Sequence, residues 1–218
     1  MGESEHVPAW KLRARAKRVA QATLIPTHWR LKEIPEFTSA RDYIRTSGEL
    51  TSYELEITEI IDARVLQELL QTKQLTALAV ATAYCKRAAV AQQLTGCLTE
   101  IFFKRALARA QELDEYFEKE GKPIGPLHGI PISFKDNYDV EGLDSTIGEF
   151  FVMMRREEET DKSGWVGLIG KPAARNSLGV DLVLRLGAVI YVKVGWQWLN
   201  ARTLANPHSR PTYHNHSW

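Results

Sequence analysis

From Thr51 onward the apolar positions recur at helical spacing. Leu55, Ile57, Ile60, Ile61 and Val65 form a stripe that continues through Leu66, Leu69 and Leu70, which predicts an amphipathic helical stretch. Thr51 followed by Glu54 is a capping box, in which each side chain satisfies an orphan backbone donor of the other, so the stretch starts there. Thr76 is placed to cap another helix, running through Ala79, Ala83 and Tyr84 to about Gln93. Its many alanines are the best helix formers, and Gly96 ends it. A third helix covers about 103–120, with Ala106, Ala110, Leu113 and Phe117 on one face and Gly121 at the expected C-terminal stop. Upstream, residues 10–20, WKLRARAKRVA, are basic with apolar residues interleaved and predict a solvated N-terminal helix. Pro26 and Pro35 mark a loop-rich stretch between, broken by Trp29. The first 120 residues therefore read as a helical layer.

The pattern changes at 121–148, where Gly and Pro punctuate the chain heavily. Ile130, Ile132 and Phe134 alternate, a strand signal, and Lys135 stands at the strand's end. Residues 177–186 have helical spacing, and AVIYVK, 188–193, is a short buried strand with Lys193 at its tip. Strand, helix, strand is the order that makes a parallel pair. The predicted class is α/β, with an N-terminal helical layer packed on a sheet.

Composition narrows the function. Lys plus Arg total 28 against 27 Asp plus Glu, a net charge of +1, so nucleic acid and anionic membrane have no global electrostatic case as partners. Two cysteines, Cys85 and Cys97, cannot make a disulfide framework, which suits a reducing compartment. They stand twelve apart with no partner pair, so zinc is a poor reading. No apolar run approaches the roughly 20 residues needed to cross a bilayer. MGESEHVPAW lacks the apolar core of a signal peptide, and His6 stands where a myristoylation motif needs Ser or Thr. The expected location is the cytoplasm.

The stretch GPLHGIPISFKDNYDVEGLDSTIG, 125–148, resembles the lysine segment of the amidase signature family, serine hydrolases that cleave carboxamide C–N bonds. Residues 85–114 resemble the helix pair before that segment. IGKPAARNS, 169–177, and LVLRLGAVIYVK, 182–193, resemble the segments after it. The likeness covers 9–148 and 165–193 and is strongest to the fungal acetamidase-like, general amidase branch. It implies an amidase-signature-type fold with a partial mixed β-sheet, a small-molecule amide substrate, and neither cofactor nor metal.

The resemblance also implies a mechanism. The family uses a nucleophilic Ser, a second Ser and a Lys, and Lys135 matches that Lys. A serine hydroxyl is a weak nucleophile and needs an adjacent base. A lysine amine, near 10.4 when free, serves only when neutral; at pH 7 that means a fall of about 3, or roughly 4 kcal/mol. Burial supplies such a fall, so Lys135 is expected in a pocket. Without the resemblance, Lys135 beside Asp136 reads as a surface ion pair. His128 reads as a structural side chain in the turn before the strand, with a base as the other reading. His214 and His216 form an HxH in the tail.

The two serines are missing. No Gly-Ser-Ser-Gly run occurs in the 218 residues, and Ser133, two before Lys135 on the same strand face, does not match either family serine. The expectation is that this chain does not turn over amides. The other reading is a non-catalytic remnant that binds a partner through an unpaired sheet edge. Two stretches depart from the likeness: EFFVMMRREEETDKSG, 149–164, and the 194–218 tail, with Trp196, Trp198 and Trp218. Both read as translated introns. Gly148-Glu149-Phe150 and Val194-Gly195 can encode splice-donor sequences, and Thr160-Asp161 and Ala205-Asn206 can encode branch points. Removing 149–164 joins STIG to WVGLIGKPA, which looks like continuous family sequence.

Overall fold

The computed structural model describes residues 9–146 and 168–195. The 149–164 stretch lies outside the described residues, as do the tail from residue 196 and its His214 and His216.

The elements run in chain order as α1 (Ala9–Leu24), a 3-10 turn (Thr27–Trp29), α2 (Ala40–Thr46), α3 (Ser52–Thr58), α4 (Ala63–Gln71), α5 (Ala77–Thr95), β1 (Leu98–Ile101), α6 (Phe103–Glu120), β2 (Pro131–Lys135), α7 (Leu178–Arg185) and β3 (Val189–Val194). The capping box at α3 is present in full: Glu54 N donates to Thr51 Oγ1 at 3.2 Å, and Thr51 N donates to Glu54 Oε2 at 2.7 Å. Ala79 N donates to Thr76 Oγ1 at 3.1 Å and opens α5. Gly96 and Gly121 close α5 and α6 with φ of 65° and 67°, left-handed positions that favour glycine.

Three elements depart from the sequence expectations. The stripe from Leu55 to Leu70 is two helices rather than one run. Asp62 accepts from Arg64 N at 2.9 Å and starts α4 afresh, which leaves Ile61 98% exposed in the break. Within the loop-rich stretch, Ser39 accepts from Asp42 N and opens the seven-residue α2, which buries Ile44. β1 interrupts the expected helix pair between α5 and α6.

The strands form one mixed sheet in the order β1-β3-β2. β3 pairs antiparallel with β1 and parallel with β2, as the βαβ order predicted. α5 and α6 cover one face, where Val80, Ala83, Cys85, Ala89, Ala106 and Leu113 pack with Val189 and Val192. Small alanines let the two helices approach closely. The edge of Trp29 meets Phe103, with ring centroids 5.7 Å apart. On the other face, Val180 of α7 packs with Phe134, Val140 and Ile190. Among the described residues no helix is long and apolar enough to cross a membrane.

Candidate functional site: the strand end at Lys135

β2 delivers Lys135 to the rim of the sheet. Parallel register sets Phe134 opposite Lys193 and Lys135 opposite Val194. Paired residues share a face, so Phe134 and Lys193 lie on the α7 side, and Lys135 lies on the other. Ser133 and Lys135 are both exposed. This departs from the expected pocket around Lys135. β2 is an edge strand, and the described residues do not cover its Ser133–Lys135 face.

The lysine that is buried is Lys193. It has no exposed surface and is the bulkiest of the fully buried side chains. Its Nζ donates to Asp144 O at 2.7 Å and to Ser145 Oγ at 2.9 Å, and lies 3.4 Å from Asp136 Oδ1. Asp136 is itself buried. Its Oδ1 accepts from Thr99 Oγ1 at 2.9 Å, and its Oδ2 accepts from Thr146 N at 3.0 Å and Thr146 Oγ1 at 2.6 Å. A charge buried at this depth persists only when paired and hydrogen-bonded, and this network meets that condition.

A second cluster adjoins the first. Antiparallel register sets Glu100 of β1 opposite Lys193. Lys17 of α1 reaches in between Glu100 Oε1, at 2.6 Å, and Asp144 Oδ2, at 2.8 Å. Burial pushes the Glu100 carboxyl up, and Lys17 only partly offsets it. Burial acts the same way on Asp144, but the Gly170 N–H and Lys17 outweigh it and hold that carboxyl below its usual range. Burial draws the Lys17 amine down, yet its hydrogen bonds to Asp144 and Glu100 leave it raised overall. Three carboxylates thus face two ammonium groups, and of the pair that Lys17 bridges, Glu100 is the one raised and Asp144 the one lowered.

The loop from 136 to 146 ties these clusters to the segment before α7. Gly142 N donates to Ala173 O and Ala173 N to Leu143 O, both at 2.9 Å. Glu141 N donates to Asn176 Oδ1 at 2.7 Å, and Gly170 N to Asp144 Oδ2 at 2.9 Å. The segment 170–176 therefore lies along the loop that follows Lys135.

The remaining candidates are structural. His128 is buried, its Nδ1 accepts from Ile124 N at 3.2 Å, and it meets Phe117 with ring centroids 5.1 Å apart. Burial lowers its pKa. Cys85 is wholly buried, and burial raises its thiol far above the usual range, which makes it inert. A cavity of about 320 Å³ between α6 and α7 is lined by Arg105, Arg109, Glu112 and Leu184 among others and does not include Lys135. Its arginines are engaged: Arg105 donates to Glu141 O at 3.0 Å and Arg109 to Glu112 at 3.3 Å.

Lys193 and Asp136 join the candidate site through these contacts, which sequence reasoning missed. A lysine at a strand tip reads as solvated. The available signal was its place at the end of a buried strand, one residue after Val192.

Known proteins place this arrangement in a family. The profile described as Amidase matches residues 79–214, and so runs through 149–164 and into the tail. The acetamidase of Emericella nidulans is 38% identical over 185 residues, covering 85% of this chain and 31% of that protein. An amidase of Gibberella moniliformis is 42% identical over 191 residues, covering 84% and 33%. Among solved structures, a fatty acid amide hydrolase superposes with a TM-score of 0.71 at 28% identity, over 85% of this chain and 31% of that one. The chain spans about a third of the length of the curated relatives it matches. It belongs to the amidase family.

Proposed function

We propose that these 218 residues are the lysine-bearing part of a carboxamide hydrolase with a Ser-Ser-Lys mechanism, in which Lys135 is the base. The observation that carries the reading is Lys135 at the exposed end of β2, within a chain 38% identical to an acetamidase. In the intact enzyme, a nucleophilic serine attacks the amide carbon and passes its proton through the second serine to Lys135. Lys135 returns that proton to the amide nitrogen, so the C–N bond breaks and amine or ammonia leaves; water, deprotonated by the same base, then releases the carboxylate from the acyl-enzyme and restores the serine hydroxyl. The substrate is a small linear carboxamide, and the protein works in the cytoplasm. The exposed Lys135 face becomes the pocket once further chain covers it.

The 218-residue chain by itself is inactive on this reading, because neither serine is present. The stretches 149–164 and 194–218 are intron sequence carried into the protein. Two assays test the assignment. The purified chain is expected to release no ammonia from carboxamides; release that Lys135→Ala abolishes would overturn the inactivity. The Emericella nidulans acetamidase with residues 121–146 of this chain in place of its own matching segment is expected to stay active. In that chimera Lys135→Ala is expected to cost roughly 10³-fold or more in kcat/KM. A chimera whose rate is indifferent to Lys135→Ala would remove Lys135 from the mechanism.

A further inference from the structure

We propose that Lys193 is a positioning residue for Lys135: its buried ammonium locks Asp136 and the 136–146 loop, and so fixes the strand end from which Lys135 projects. This rests on the reading of Lys135 as the base.

The geometry has three parts. First, an ammonium has three N–H donors, and Lys193 Nζ has three acceptors around it: Asp144 O, Ser145 Oγ and Asp136 Oδ1, at 2.7, 2.9 and 3.4 Å. Second, each acceptor belongs to the loop that leaves β2. Ser145 Oγ passes the link on by donating to Asp139 Oδ1 at 2.7 Å, and Tyr138 N donates to Lys135 O at 3.0 Å. Third, Asp136 is the residue after Lys135 and is held from three directions. Thr99 holds it from β1 and Thr146 from the loop. From β3, Lys193 reaches its carboxylate, and its own N–H donates to Val194 O at 2.9 Å. Lys135 therefore has a clamped residue on its C-terminal side and a parallel ladder on its N-terminal side.

Packing alone does not call for a lysine here. The other buried positions of β3 are Val189, Ile190 and Val192, and an apolar residue at 193 would avoid the cost of desolvating an ammonium. What the ammonium adds is direction, since two hydrogen bonds and an ion pair fix where the loop and the Asp136 carboxylate sit. A catalytic amine loses rate when displaced by about 1 Å, so such fixing has a use.

The test reads the Lys135 amine directly in the 218-residue chain. Lysines are reductively methylated with ¹³C, and the Lys135 signal is assigned with Lys135→Arg. Lys193→Met is expected to lower Tm and to displace both the Lys135 methyl signal and its titration midpoint. The double variant Lys193→Met with Asp136→Asn leaves no unpaired buried charge. It is expected to regain Tm while the Lys135 signal stays displaced. Ser145→Ala, which removes one acceptor and no charge, is expected to displace the signal less and leave the fold intact. Recovery of the wild-type Lys135 signal in the double variant, or an unmoved signal in Ser145→Ala, would overturn the proposal and leave Lys193 a mere counter-charge for Asp136. No turnover is involved, so failure here leaves the base assignment standing, and failure of the chimera assay leaves this clamp standing.

Discussion

Single residues in this chain act through what surrounds their charges. Glu59, at the end of α3, lies between Arg45 of α2, with which it is hydrogen-bonded, and Arg87 of α5, whose Nη1 is 2.7 Å from its Oε1. The Arg45 hydrogen bond, helped by Arg87 and opposed by burial, holds the carboxyl at about 2. An unfolded Glu titrates near 4.3. A carboxyl depressed in the folded state contributes stability above its unfolded pKa and loses it as pH falls through the folded one. The expected outcome is a Tm that drops between about pH 5 and pH 2 more steeply in the wild type than in Glu59→Gln. Thermal melts across that range check it, and parallel curves would count against the pair. Lys193 shows why a residue's role can be hidden in sequence. The same side chain is a solvated tip or a sealed ammonium, depending on a loop 48 residues away at Ser145.

At the scale of elements, the legible ones were those with local signals. α3 begins at the Thr51 capping box, α5 runs from the Thr76 cap to Gly96, and α6 stops at Gly121, because those signals act within four residues. β1 was not legible. It is four residues long, and it exists because β3, far along the chain, pairs with it. The break at Ile61 was missed because the apolar spacing runs on through it while the backbone restarts at Asp62. The clamp around Lys135 was illegible for the same reason as β1: its parts come from β1, β3 and the 136–146 loop and meet only in the fold. α1 carries a prediction of its own. It touches the sheet through Gln21, whose Nε2 donates to Thr99 O, and through Lys17 between Glu100 and Asp144. Lys17→Met would leave two carboxylates facing each other with no cation between them. The expected cost is about 2 kcal/mol, below the full figure for a buried pair because Lys17 is 21% exposed. Trypsin cleavage within residues 11–18 should quicken ahead of global unfolding. Unchanged cleavage together with unchanged Tm would show that α1 docks without Lys17.

For the whole molecule, the two family-like blocks of sequence, 9–148 and 165–193, meet where the 170–176 segment runs along the 136–146 loop. The reading of 149–164 as intron sequence is checked at the transcript. Transcripts from the native gene are expected to lack the codons for 149–164, joining Gly148 to Trp165. Messages that keep them at full abundance would refute this. The strand order has a further consequence, in time rather than in space. β1 and β2 do not touch each other, and both lean on β3, the last of the three to be made. On a ribosome, the helices from α2 to α6 can pair as they emerge, but no ladder closes until Val194 has left the tunnel. The sheet is then zipped from its centre by a single late strand, so β1 and β2 stay separate open edges until that strand arrives.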